Sequence, residues 1–91
     1  MSERRKQTRE ALLVLRCPQA HRIATVFETP TGRQVVVGSR GVYVAVSIDE
    51  QSDQRARCRC GGQRIVMGHV RSLLAQGTRN ARVDQPWPSQ P

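Results

Sequence analysis

Aromatic residues are nearly missing from this sequence: Phe27, Tyr43 and Trp87 are the whole stock, and Trp87 stands among prolines. A core must then be assembled from Val, Leu, Ile and Ala, each of which buries less surface than an aromatic ring. The 91 residues suffice for one domain. A domain of that size buries only about 60–65% of the surface that its unfolded chain exposes. A thin core of this kind calls for a staple, which can be disulfides, a metal or oligomerisation. Disulfides are disfavoured by count and by spacing, because three cysteines is an odd number and Cys58 and Cys60 are too close to bridge without strain. Apolar runs are also short. None approaches the length of a membrane span, and residues 12–15 fall short of the apolar region of a signal peptide. The expectation is a soluble, cytoplasmic protein, in a compartment where thiols stay reduced and clustered cysteines usually mean metal.

Acidic residues are scarce as well. Fifteen basic residues face seven acidic ones, a formal net charge of +8, and fourteen of the fifteen are arginine. Residues 54–83 hold seven arginines and no acid: Arg55, Arg57, Arg59, Arg64, Arg71, Arg79 and Arg82. Such a field favours polyanionic partners, either nucleic acid or an acidic protein surface. Arginine suits bidentate contacts to phosphate. A GC-rich genome is the compositional explanation for arginine over lysine, but it does not account for thirty residues without an acid.

Against these absences, two tight clusters stand out. Cys17-Pro18-Gln19-Ala20-His21 offers a thiol and an imidazole, and Cys58-Arg59-Cys60-Gly61-Gly62 offers two thiols. Three thiolates and one imidazole complete a tetrahedral ligand set for structural zinc. Each cluster reads as a knuckle, a turn that aims two ligands at one point while its N–H groups support the sulfurs. Pro18 stiffens the first turn, and Gly61 lets the chain reverse directly behind Cys60. His69 is the other histidine and the alternative fourth ligand. Taken singly, a cysteine is usually a small buried hydrophobe and a histidine an ordinary polar residue; the case for metal rests on the combination.

Strand signals fill the 36 residues between His21 and Cys58. Residues 12–16 and 22–29 read as strands, the second with Ile23, Thr25 and Phe27 on one side and Ala24 and Val26 on the other. Thr29-Pro30-Thr31-Gly32 reads as a turn and residues 34–38 as the return strand. Residues 42–48 alternate most clearly, Val42, Val44, Val46 and Ile48 against Tyr43, Ala45 and Ser47. That segment reads first as the central strand, and otherwise as an edge for a partner or for homodimerisation. Residues 49–56 form a polar loop. After a short strand at 63–66, residues 67–76 read as a helix with Met67, Val70, Leu73 and Leu74 on one face, stopped by Gly77. A last strand covers 79–84, with Ala81 and Val83 inward. The predicted organisation is a flexible basic arm over 1–11, a domain over 12–84, and a proline-rich tail over 85–91 that is disordered or extended. The fold class is mainly β with one helix, a small α+β domain: an antiparallel, zinc-ribbon-like meander with two metal knuckles.

Leu15-Arg16-Cys17-Pro18-x-x-His21-x-Ile23, the turn at Thr29–Gly32, and Cys58-x-Cys60-Gly61 followed by a helix and Gly77-x-Arg79 resemble small zinc-ribbon proteins. These are encoded by high-GC Gram-positive bacteria and their bacteriophages, and most have no assigned function. The resemblance spans residues 12–83. It implies a fold, a structural zinc and a place in a bacterial or phage-infected cell, but no activity.

An enzyme is not expected. Four good ligands close the metal site, whereas catalytic zinc keeps an open position beside an acid or base. The deaminase pattern His-x-Glu with Pro-Cys-x-x-Cys is missing, as is a phosphate loop ending in Gly-Lys-Ser/Thr. Asp49, Glu50 and Asp53 sit in one polar loop without a histidine. A three-cysteine site with bound water is the one route to catalysis, open only if His21 is not a ligand. No membrane or small-molecule partner is expected. The first functional reading is a nucleic-acid-binding zinc module. The alternative is a protein-interaction module, phage-encoded and acting on a host protein complex.

Overall fold

A computed structural model describes residues 10–39 and 41–87. The basic arm, apart from its last two residues, and residues 88–91 of the tail lie outside them. Seven strands and one helix follow in order: β1 (Ala11–Arg16), β2 (Arg22–Thr29), β3 (Gly32–Ser39), β4 (Val42–Ser47), β5 (Gln54–Cys58), β6 (Gly61–Ile65), α1 (Met67–Ala75) and β7 (Asn80–Arg82). The domain is therefore mainly β with a single helix.

The first four strands form the antiparallel meander that alternation and turn residues predict. Gly32, at φ +123°, closes the β2–β3 turn, a conformation that a side chain would strain. The rest of the sheet departs from a zinc-ribbon meander. Its order is β6-β5-β3-β2-β1-β7, with β4 attached to β3 off that path. β5 lies parallel to β3 at Ser39 and Arg57, and β7 lies parallel to β1 from Val14–Asn80 to Arg16–Arg82. The result is a curled, mixed half-barrel. Parallel neighbours need crossover connections. Here the loop after β4 and the stretch carrying α1 supply them.

One face of the sheet and α1 enclose the core: Leu13, Leu15, Ile23, Ala24, Val26, Val35, Val37, Ala56, Ile65, Met67, Val70 and Val83, with Cys17 among them. Cross-strand register explains the layer. Leu13, Val26 and Val35 lie side by side on β1, β2 and β3, and Leu15, Ala24 and Val37 form the next row. All six are buried. None of the three aromatics belongs to this cluster.

α1 lacks a side-chain N-cap and docks through buried Met67 and Val70. At its other end the Thr78 N–H donates to the Leu73 carbonyl at 3.0 Å and the Gly77 N–H to that of Leu74 at 3.0 Å. This is a Schellman closure, with Gly77 at φ +77° as the left-handed residue it requires. Arg71 does not reach outward from the helix. Its Nη1 donates to the carbonyls of Ile48 at 2.9 Å and Glu50 at 3.2 Å, tying the β4–β5 loop to α1.

Two segments differ from their expected settings. β4 is not central: it pairs with β3 alone, and Val42, Tyr43 and Val44 are 61%, 71% and 49% exposed. Alternation marks a strand but carries no information about how many neighbours it has. The tail, for its part, begins extended along the outer edge of β6. Arg64 N–H donates to the Gln85 carbonyl at 2.7 Å, Trp87 N–H donates to the Gly62 carbonyl at 3.0 Å, and Pro86 bridges Gln63. Among the described residues, no helix is long and apolar enough to cross a membrane.

Candidate metal centre

Strand topology assembles the four candidate ligands. The first knuckle links β1 to β2, and the second is the turn of the β5–β6 hairpin. Because β2 and β3 are antiparallel, with Ala24 beside Val37, the start of β2 lies by the end of β3. β5 runs parallel to β3 and reaches Arg57 opposite Ser39. One residue further on, Cys58 arrives where β2 begins.

The ligand atoms of Cys17, His21, Cys58 and Cys60 all lie within 4.8 Å of one another. His21 Nδ1 is 3.4 Å from the Cys17 sulfur and 3.3 Å from the Cys60 sulfur. Zinc bonds of about 2.3 Å to sulfur and 2.0–2.1 Å to nitrogen set tetrahedral edges of about 3.5–3.8 Å. The two nitrogen–sulfur spacings fall just short of those edges and no pair exceeds 4.8 Å, so the group could hold a metal ion. His69 is exposed on α1 and stands outside the cluster.

The first knuckle is tightly held. Cys17 N–H donates to the His21 carbonyl at 2.9 Å, and Ala20 N–H donates to the Cys17 carbonyl at 2.7 Å. Ala20 sits at φ +72°, a left-handed turn position taken by a residue with a Cβ. Two arginines cap the outward carbonyls of this turn. Arg16 Nη1 donates to Ala20 at 3.2 Å, and Arg82 Nη1 donates to Pro18 at 3.1 Å. Arg82 reaches the knuckle because β7 lies beside β1. The role of Arg16 has no signal in the sequence, because the unpaired carbonyl it serves exists only once the turn has formed.

The second knuckle is more open. Cys60 N–H donates to the Cys58 sulfur at 3.3 Å, the backbone-to-sulfur support expected of such a turn. Gly61, at φ +119°, reverses the chain behind it.

Protonation differs between the two sides. Burial opposes ionisation of Cys17, but backbone hydrogen bonding at His21 and Gln19, with side-chain bonds from His21 and Cys58, outweighs it and brings the thiol down to about 6. Cys60 moves the other way. Desolvation, hydrogen bonds that keep its proton between Cys17 and Cys58, and the charge of those two neighbours push it up to about 11. Without a cation, crowded thiols cannot all ionise. A bound metal reverses that balance and displaces protons.

The arginines of residues 54–83 divide into groups. Arg55 and Arg57 point to solvent from β5, opposite buried Ala56, and Arg59 occupies the exposed hairpin turn. Arg64, paired with Arg55 across the hairpin, is half-buried and lies 3.8 Å from Asp53. The Trp87 ring lies against both, 5.4 Å from the Arg55 guanidinium and 5.6 Å from that of Arg64. Arg79 is exposed just before β7, away from this strip in sequence and in sheet order. Arg71 donates to the Ile48 and Glu50 carbonyls, and Arg82 donates to the outward Pro18 carbonyl. No family model, characterised protein or solved structure matches this chain significantly.

Proposed function

We propose that this chain is a small structural-zinc module that binds nucleic acid through the solvent face of its β5–β6 hairpin. The observation that carries the reading is the union of two features in one hairpin. Its turn provides Cys58 and Cys60, and its outward face aligns Arg55, Arg57 and Arg64 with Arg59 at the tip. Zinc is the ion that suits three thiolates and one imidazole. A closed set of four protein ligands leaves no position for a reactive water, so the role is binding rather than catalysis.

Guanidinium groups on a rigid hairpin match phosphate geometry. Trp87, beside two of them, adds a ring on which an unpaired base can stack. Fluorescence anisotropy with labelled duplex DNA, single-stranded DNA and RNA, over a series of salt concentrations, tests the reading. Affinity for duplex DNA should fall by about 0.9 log units per log unit of salt for each phosphate contact. Replacing Arg57 and Arg59 by Ala should reduce that slope while zinc content stays unchanged. Lack of binding to all three probes at low salt would overturn it. The alternative, a protein-interaction module, draws on the exposed strand β4.

A further inference from the structure

β4 is an edge strand that lacks the devices by which edges are protected. The other outer strands are blunted. β7 has three residues, and β6 is followed by the tail segment, with Pro86 alongside. β4 has six residues, Val-Tyr-Val-Ala-Val-Ser, with no charge, no proline and no register irregularity against β3. Strands of that kind template the addition of another strand.

Register shows which groups are open. Ser39 and Val42 close the β3–β4 connection, and the Ile48 N–H donates to the Arg33 carbonyl at 3.0 Å. In an antiparallel ladder, hydrogen-bonded and non-bonded pairs alternate. Val42, Val44 and Val46 therefore turn their backbone groups toward β3, and Tyr43, Ala45 and Ser47 turn theirs outward. The Ser47 carbonyl already accepts the Glu50 N–H at 3.0 Å. Tyr43 and Ala45 have no outward backbone partner among the described residues.

We infer that β4 pairs with β4 of a second copy, antiparallel, about a two-fold axis at Val44. This register joins Tyr43 to Ala45 of the partner and Ala45 to Tyr43 of the partner, using all four open N–H and C=O pairs. It sets Val44 against its own counterpart and Val42 against Val46, which lies beside the core. The two most exposed valines are thereby covered on one face of a continuous sheet. On the other face the Tyr43 ring meets alanine, the smallest side chain of the strand. Charge selects the occupant. The chain carries a net +8, so most surfaces of two copies repel, but an uncharged strand meets itself without that cost. An acidic partner would find no complement on β4. The inference is independent of the metal and nucleic-acid readings.

Sedimentation of the full-length chain, as purified, over about a hundredfold concentration range tests it, because self-association follows mass action. A monomer–dimer equilibrium is expected. Val44→Lys opposes two like charges across the axis and should weaken the dimer at least about tenfold. Its melting curve at low concentration should match that of the parent chain. Val44→Cys should cross-link to itself under mild oxidation of the metal-loaded protein, and Val42→Cys should not. A chain that stays monomeric throughout leaves the edge to a strand of another protein and overturns the inference. A dimer indifferent to Val44→Lys, or a Val44→Cys dimer that fails to cross-link, overturns it equally.

Discussion

The two knuckles supply the same number of candidate ligands but are built differently. Cys17 belongs to the core cluster, its turn is closed by two backbone hydrogen bonds, and Arg16 and Arg82 brace it from outside. Cys58 and Cys60 sit at the tip of a two-stranded hairpin, where Cys60 is exposed. β5 pairs with the main sheet at one bridge, Ser39 with Arg57, and the hairpin reaches the core through Ala56 and Ile65. A two-stranded hairpin is marginal by itself. The lesson is a division of labour. The first knuckle is prepared by packing, whereas the second is the one that a bound ion would steady most.

Removing the metal should break that partnership with the largest effect. Structural zinc contributes on the order of 10–16 kcal/mol in domains of this kind. Treatment with a strong chelator should abolish the cooperative melt, and hydrogen exchange should show β5–β6 amides opening before those of β1–β2. Equal loss of protection in both hairpins would refute the asymmetry.

Ligand substitutions come next. Cys17→Ser should lower zinc stoichiometry and broaden the melt more than Cys60→Ser, since it also places an extra hydroxyl in a buried site. Metal analysis and calorimetry of the purified variants would check the order, and the reverse order would count against a preformed first knuckle.

Acidity sharpens the contrast with a smaller effect. Between about pH 6 and about pH 11 the metal-free protein carries an ionised Cys17 and a protonated Cys60. Binding must displace the Cys60 proton, so zinc affinity should rise with pH by at least about tenfold per unit in that window. Below about pH 6 Cys17 also takes up a proton, and affinity should fall more steeply. In the metal-free chain, the depressed Cys17 thiol contributes stability present above its unfolded value and lost as pH falls through about 6. Competition titrations against a chelating dye across pH would measure the zinc dependence.

The braces carry the smallest effects. Arg82→Ala should cost about 1 kcal/mol through the lost bond to the Pro18 carbonyl. Trp87→Ala should cost about 0.5–1 kcal/mol through the lost contacts with Arg55 and Arg64. Exchange at Gln19–His21 should rise in the first variant, and exchange along β6 in the second. If both variants loosened both knuckles alike, the two supports would not be separate.

Much of the fold was legible. β1 to β4, the helix and its glycine stop follow from local alternation, turn chemistry and 3.6-residue periodicity. The candidate site was legible as well, because the four residues that the fold brings together sit in two short motifs. Arg71 and Arg82 were read as nucleic-acid contacts; their bonds to carbonyls of segments 21 and 64 residues away had no local signal. The position of Trp87 was hidden for a similar reason: its surrounding prolines suggest a disordered or extended tail, but not that Gly62 offers it an open edge to pair with.

By itself the amino-acid order determined where β1 to β4 and α1 run, which residues could ligate a metal, and that the core would be valine- and leucine-built, whereas Gln54–Cys58, read in large part as loop, forms β5. Those properties depend on neighbours a few positions apart. Tertiary structure alone decided that β5 lies parallel to β3 and β7 parallel to β1, and so that the two ligand pairs converge. It also decided that β4 is left at an edge and that Arg71 and Arg82 each bond carbonyls of distant segments. Pairing partners and vacant carbonyls arise only when distant segments meet, and no local periodicity encodes that meeting.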